Sequence, residues 1–239
     1  MRNVLITGTA GQIRDGVARC LVNDGWGVIL DEPNAEAAKA VANQMGSLVS
    51  CRGLELPEER NPDAMLESLS GEGGVLALVN VGSCMKALGV APKPFLDQKP
   101  ADWRKLIDAN VYDMLDMTSA FLRHRIARGG GGAVVSLTSA AGLRGAPKAN
   151  AWSATRAGIQ VFTQNMAQDC AQHGVRINCV SHCETDIAMA DSGGVPHTPP
   201  LGIGETGIDA GNAVAFLLSK RAEHITGSCI DVSGGWSLY

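Results

Sequence analysis

Few side chains in this sequence have types and spacings that could do chemistry. His182 is one, because an imidazole titrates near neutrality and can exchange a proton there. Arg14 is another. It stands within a glycine-containing turn, Gly8 to Gly16, between an apolar run and a helical one. A fixed cation in such a turn can hold an anion. Cys179, His182 and Cys183 come nearest to a metal cluster. Zinc takes three or four protein ligands, and no second Cys/His group follows nearby, so no metal is expected. The seven cysteines, Cys20, Cys51, Cys84, Cys170, Cys179, Cys183 and Cys229, are odd in number and scattered, which reads as reduced thiols. Tyr112 and Tyr239 are the only tyrosines.

Alternating strands and helices must position these groups. Val4 to Ile6 reads as a buried strand, and Arg14 to Asn23 carries apolar residues at helical spacing. Val28 to Asp31 is a second strand. Pro33 and Asn34 open an alanine-rich helix that stops at Gly46, and Ser47 to Cys51 is a third strand. Leu54 to Gly74 reads as a helix. Val75 to Val81 is a nearly pure apolar run, suited to a parallel strand covered on both faces. After a proline-rich loop, Asp102 is placed to cap a long helix to about Arg128. Gly129 to Gly132 end it before a strand over Ala133 to Leu137. A helix from Trp152 to His173 leads into a strand over Val175 to Val180. Residues 184–207, rich in glycine and proline without periodicity, read as a flexible lid or substrate loop. Asp209 to Ser219 is the last helix and Cys229 to Val232 the last strand. The whole describes a single α/β domain over residues 1–239, built as a Rossmann-type doubly wound parallel sheet.

Composition narrows the function classes. Lys and Arg number 20 against 24 Asp and Glu, a net charge of −4, and no long basic run is present, so nucleic acid is not an expected partner. The cluster Arg123, Arg125 and Arg128 is explained by a helix C-terminus. No apolar stretch reaches the length of about 18 residues needed to cross a membrane, so no membrane partner is expected either. Residues 1–8 lack the apolar region and cleavage site of a signal peptide, and a cytoplasmic location is expected.

The order of motifs resembles the short-chain dehydrogenase/reductase family over essentially the whole chain. The matching stretches are Thr7-Gly8, Asp31, Asn80-Val81-Gly82, Asn110, Ser136-Leu137-Thr138-Ser139, Arg176-Ile177-Asn178, Ile225-Thr226-Gly227 and Asp231 to Gly235. The resemblance implies one Rossmann-type domain, association into dimers or tetramers, and hydride transfer between NAD(P) and an alcohol or carbonyl.

Departures at four places separate the chain from that pattern. The family places a tyrosine thirteen residues after the serine and a lysine four further on; here those positions hold Trp152 and Arg156. An indole donates a hydrogen bond but has no proton to exchange near neutrality, and a guanidinium stays charged. The family wants glycines four and six positions after Gly8, where this chain has Gln12 and Arg14, and Gly11 can compensate in part by a shifted turn. The Asn80-Val81-Gly82 stretch also lacks the first asparagine of the family motif, with Val79 in its place. His182-Cys183 replaces a Pro-Gly beside the nicotinamide, although Thr185 can keep the role of a threonine that bonds the carboxamide.

The resemblance with its departures implies a catalytically inactive subunit that pairs with an active homologue in a hetero-oligomer, a heterotetramer by expectation. This chain is expected to bind no cofactor, with NAD held by the partner. It is similar to the inactive partner in two-subunit dehydrogenases of anaerobic aromatic degradation, which implies a CoA-thioester hydroxyacyl substrate for the assembly. The helices over 102–128 and 152–173, the last strand and an aromatic tail with Trp236 and Tyr239 are the surfaces it would offer. Two alternatives stay open. One is an active NAD(P)-dependent oxidoreductase with His182 as base, Ser139 and Thr138 orienting a carbonyl, Asn110 holding a water and Arg156 steadying the ribose. The other is a regulatory module binding an anion at Arg14.

Several residues also have plainer readings. Gly8, Gly11, Gln12, Arg14, Asp31, Asn80, Gly82 and Thr185 are then a vestigial or weak cofactor site. Asp31 either selects NAD through ribose hydroxyls or is a strand-end carboxylate. Asn110 reads toward holding the long helix against the strand before it, and Ser139 toward a turn. Tyr112 is expected to pack, Trp152 to fill the emptied catalytic space, and His182, if it has no catalytic role, to be a loop histidine with ordinary solvent contacts.

Overall fold

A computed structural model describes residues 2–31, 36, 61–71, 74–183, 199–202 and 206–238. The helix expected from Pro33 to Met45, the strand Ser47 to Cys51, the first part of the helix expected over 54–74 and most of 184–207, with Thr185, lie outside the described residues.

Within them, strands β1 (Arg2–Gly8), β2 (Trp26–Leu30), β3 (Val75–Gly82), β4 (Gly132–Ser139), β5 (Val175–His182) and β6 (Cys229–Asp231) form one sheet. Its order is β2-β1-β3-β4-β5-β6, and every pair is parallel. Helices α1 (Gln12–Asn23), α2 (Pro62–Ser68), α3 (Pro100–Ile107), α4 (Asp113–Ala127), α5 (Ala141–Arg144), α6 (Asn150–Cys170) and α7 (Gly207–Leu218) connect and cover it. The alternation of strand side chains sorts them into two cores. Val4, Ile6, Val28, Leu30, Ala77 and Val79 pack with α1 and α7, while Leu5, Ile29, Leu78 and Val134 pack with α2, α4 and α6. This is the doubly wound sheet that the alternating apolar runs require.

The strands run longer than the apolar residues alone indicate, because ladder bonding continues past the last hydrophobic side chain. Thus β4 reaches Ser139 and β5 reaches His182, pairing these two residues in register. The long helix starts at Pro100, with Lys99 before it, so Asp102 lies in its first turn and is not its cap. A π-helical turn over Asp108–Tyr112 divides it. Such turns recur at functional sites because they re-aim a side chain, here Asn110. On the other face, α7 crosses α1 so closely that a Cβ at Gly207 would overlap the Gln12 carbonyl. Thr206 and Asp209 cap α7 reciprocally. No helix among the described residues is long and apolar enough to cross a membrane.

Candidate functional site

In an open parallel sheet the C-terminal strand ends meet at the crevice where strand order reverses, here between β1 and β3. The chemistry-bearing residues gather along this edge, in two groups.

The first group surrounds α6. Trp152 and Arg156 are four residues apart in one helix and so share a face. Both are about 1% exposed, and the guanidinium carbon lies 3.7 Å from the indole ring centroid. Arg156 Nη2 donates to Asn110 Oδ1 at 2.9 Å and Nη1 to the Leu137 carbonyl at 3.2 Å. Thr138 Oγ1 returns a bond to the Arg156 carbonyl at 2.7 Å. Asn110 Oδ1 also accepts the Ser83 N–H at 2.9 Å, and its Nδ2 donates to the Leu106 carbonyl at 3.1 Å. Asn110 therefore joins the divided helix to the end of β3, as its plainer reading expects. Gly82, at φ +79°, completes the fit: a Cβ there would come within 2.7 Å of Asn110 Oδ1 and 3.3 Å of Arg156 Nη1. Trp152 fills the space under this network, against Met85, Val90, Leu106, Ala141 and Ala149.

His182 differs from the loop histidine with ordinary solvent contacts of its plainer reading. It closes β5 and is 2% exposed, because the ladder carries the strand past the apolar run. Burial, and then the charge of Arg156, push its pKa down to about 3. A general base works best with a pKa near the operating pH, and this imidazole holds its proton far too weakly at neutrality. Opposite it, Ser139 Oγ accepts the Ala141 N–H at 3.2 Å, a turn-forming bond. Beside them Trp236 packs on Ala140 and Cys183. Arg144 stacks on its ring at 4.4 Å and donates to its carbonyl at 3.1 Å. Tyr112 is 63% exposed and does not pack as expected, because the π-helical turn carries it to the surface.

The second group lies at the β1–α1 turn. Arg14, 1% exposed, donates from Nη1 to the Gly8 carbonyl at 3.1 Å and to the Asp31 carbonyl at 3.5 Å. Gly11 precedes α1 and is exposed, as is Gln12. The crevice between β1 and β3 is bridged by Thr9 N–H to the Gly82 carbonyl at 2.9 Å and by Thr9 Oγ1 to Ser83 Oγ at 2.6 Å. Asn80 serves the interior: its Oδ1 accepts from Thr7 Oγ1 at 3.1 Å, and its Nδ2 donates to Thr118 Oγ1 at 3.0 Å and Ser136 Oγ at 3.2 Å. Asp31 is buried just past β2. A dinucleotide needs bare backbone for its pyrophosphate at this turn. The Arg14 guanidinium stands at this turn, drawn onto the Gly8 and Asp31 carbonyls.

The sequence brings Asn110, Ser139, Trp152, Arg156 and His182 to one edge, and Gly8, Arg14, Asp31 and Gly82 beside it. It does not reveal Ser83 or Arg144, whose roles arise from contacts across the fold. Among the described residues, no three His, Cys, Asp or Glu side chains gather as a metal site requires.

A protein-family model described as Enoyl-(Acyl carrier protein) reductase matches residues 8–237. The 3-oxoacyl-(acyl-carrier-protein) reductase of Aquifex aeolicus (strain VF5) is 30% identical over 242 residues, 97% of this chain and 95% of its own length. Nodulation protein G of Rhizobium sp. (strain N33) is 28% identical over 248 residues, 99% and 97% of the two chains. Among solved structures, an oxidoreductase from Burkholderia thailandensis, described as of the short chain dehydrogenase/reductase family, is similar with a TM-score of 0.83. It is 25% identical, over 100% of this chain and 93% of that one. A 3-ketoacyl-(acyl-carrier-protein) reductase from Brucella melitensis complexed with NADH shares the fold, with a TM-score of 0.83 at 24% identity, over 99% and 98% of the chains.

Proposed function

The chain belongs to the short-chain dehydrogenase/reductase family, and we propose that within it this chain is a non-catalytic subunit supporting an active, NAD-dependent homologue. One observation carries the reading: Trp152 and Arg156 hold the positions of the acid/base pair, stacked and buried against each other. Neither an indole nor a guanidinium takes an alcohol proton near neutrality. Positioned acid/base catalysis contributes about 10²–10⁴-fold, and that contribution is missing. Arg14 at the glycine turn supports the same reading for the cofactor, which the partner would hold. The chain's own contribution is then surface. Tyr112 and Val161, 63% and 55% exposed on the long helices, offer apolar area for a partner. The resemblance to the inactive partner of two-subunit dehydrogenases points to a CoA-thioester hydroxyacyl substrate, of the type of 2-(hydroxy(phenyl)methyl)succinyl-CoA.

The comparisons support a second reading better than the first: an active NAD(P)-dependent oxidoreductase with substituted machinery, since the matched proteins include reductases and dehydrogenases. Its base would be His182, and its reacting carbonyl would meet Ser139. Co-expression with a Tyr-xxx-Lys homologue, read by native mass spectrometry, separates the two. The first reading expects a stoichiometric hetero-oligomer whose turnover survives His182→Asn in this chain. A chain that stays apart from the homologue and turns over substrate by itself, losing that turnover with His182→Asn, overturns it.

A further inference from the structure

We propose that Cys229 and Cys179 form a peroxide-reactive dithiol site on the edge of the sheet, in which Cys229 is oxidised first and Cys179 resolves it to a disulfide. This site lies outside the crevice and does not depend on whether the chain is catalytic; because the last strand is also a surface offered to a partner, it concerns the unassembled chain, in which Cys229 is exposed.

The two residues are direct partners in the parallel pairing of β5 and β6. Neighbouring strands lie about 4.7–4.9 Å apart, within the roughly 4.4–6.8 Å that separates disulfide-linked Cα atoms. Residues paired in register share a face, and here the two sulfurs are hydrogen-bonded to each other. Their exposure is unequal. Cys229 lies exposed on the edge strand, whereas Cys179 is 1% exposed beneath α6. A small oxidant reaches one and not the other.

The electrostatics divide the roles in the same sense. The hydrogen bond from Cys179 lowers the pKa of the Cys229 thiol, against the opposing effects of burial and of Asp231. The same bond, and then burial, push Cys179 up, while the Thr163 hydroxyl draws it down. Exposure and the direction of the shift agree that Cys229 is the thiol an oxidant meets first. Exposed low-pKa thiols beside a resolving thiol are the arrangement that peroxides oxidise selectively. Cys20 and Cys170, by contrast, are buried thiols pushed up by burial and by neighbouring carboxylates.

The chemistry balances with a hydroperoxide as the oxidant. The Cys229 thiolate attacks the terminal peroxide oxygen, the O–O bond breaks, and the alkoxide or hydroxide leaves and takes a proton, giving the sulfenic acid. Sulfur is oxidised by two electrons and the peroxide reduced by two. The Cys179 sulfur then displaces the sulfenic oxygen as water, forming the S–S bond. The product would tie β6 to β5 just before Asp231, whose carboxylate holds Ser233 and Ser237 at the foot of the Trp236 tail.

Peptide mass spectrometry of the full chain, after graded hydrogen peroxide and a thiol-blocking quench, tests the proposal. Expected is a cross-linked Cys179–Cys229 peptide pair lighter by two hydrogens. Cys229 should be consumed at least about tenfold faster than half-exposed Cys84. In Cys179→Ser, the sulfenic acid at Cys229 should persist and be trapped by dimedone. Consumption of Cys229 no faster than Cys84, or its passage to sulfinic acid in the unaltered chain with no cross-link, overturns the proposal without any need for the variant to fold.

Discussion

Arg156 and Arg14 both bury a guanidinium at the C-terminal edge of the sheet, yet their settings differ. Arg156 is tied to the fold from several sides: to Asn110, to the end of β4, and to the face of Trp152. Arg14 bonds the carbonyl of Gly8 in its own turn and that of Asp31 just past β2. Substitution at the first place has become part of the core, so that removing it should cost stability. Substitution at the second occupies room, so that removing it should chiefly open space.

The largest effect is expected from Trp152→Ala, which empties a buried indole site and should cost about 3–5 kcal/mol in denaturant unfolding. Arg156→Met keeps much of the volume but strips the charge and its hydrogen bonds, and should cost about 2–3 kcal/mol. It should also raise the His182 pKa, because Arg156 helps to depress it, which an NMR titration of that imidazole reads directly. If Arg156→Met left stability unchanged, the contrast between the two arginines would fail.

An effect of pH follows from the same residue. Folded His182 has a pKa of about 3 against an ordinary 6.5. Between those values the unfolded chain binds the proton and the folded chain does not. Stability from this group is therefore full above pH 6.5 and declines below it, by about 1.4 kcal/mol per pH unit toward pH 3. His124 is depressed too and adds in the same direction. Unfolding measured between pH 7 and 5 should show the decline, and His182→Asn should flatten most of it.

Arg14→Ala should cost least, about 1 kcal/mol, the loss of its net hydrogen bonding. The smallest change of all is expected from restoring Tyr and Lys together, by Trp152→Tyr with Arg156→Lys. Turnover should stay below about a tenth of an intact relative's, since the phosphate turn remains filled and binding must precede acid/base work. NADH absorbance against a panel of hydroxyacyl substrates reads it.

How much of this was legible beforehand differs between fold and site. Apolar runs such as Val75 to Val81 and glycine stops such as Gly129 to Gly132 are local signals, and they mark the sheet and most of its helices. Spacing from Ser139 is enough to locate Trp152 and Arg156, because positions along one strand–helix unit are held by its geometry. Burial of His182 was not legible. It depends on ladder bonds continuing past the apolar run, and on the Trp236 tail returning beside Ala140 and Cys183 from the far end of the chain. The exposure of Tyr112 was hidden for a related reason: one extra residue in the helical turn at Asn110 rotates everything after it. Contacts between distant segments decide such outcomes, and period and spacing do not contain them.

The central claim is that this chain's crevice is closed by its own side chains, Arg14 at one end and Trp152 with Arg156 at the other. Calorimetric titration of NAD⁺ and of NADH into the purified chain tests it most directly, with Arg14→Ala alongside. The account predicts no saturable binding up to about 1 mM for the unaltered chain, with any gain confined to Arg14→Ala. Saturable, stoichiometric binding of either dinucleotide to the unaltered chain would contradict it.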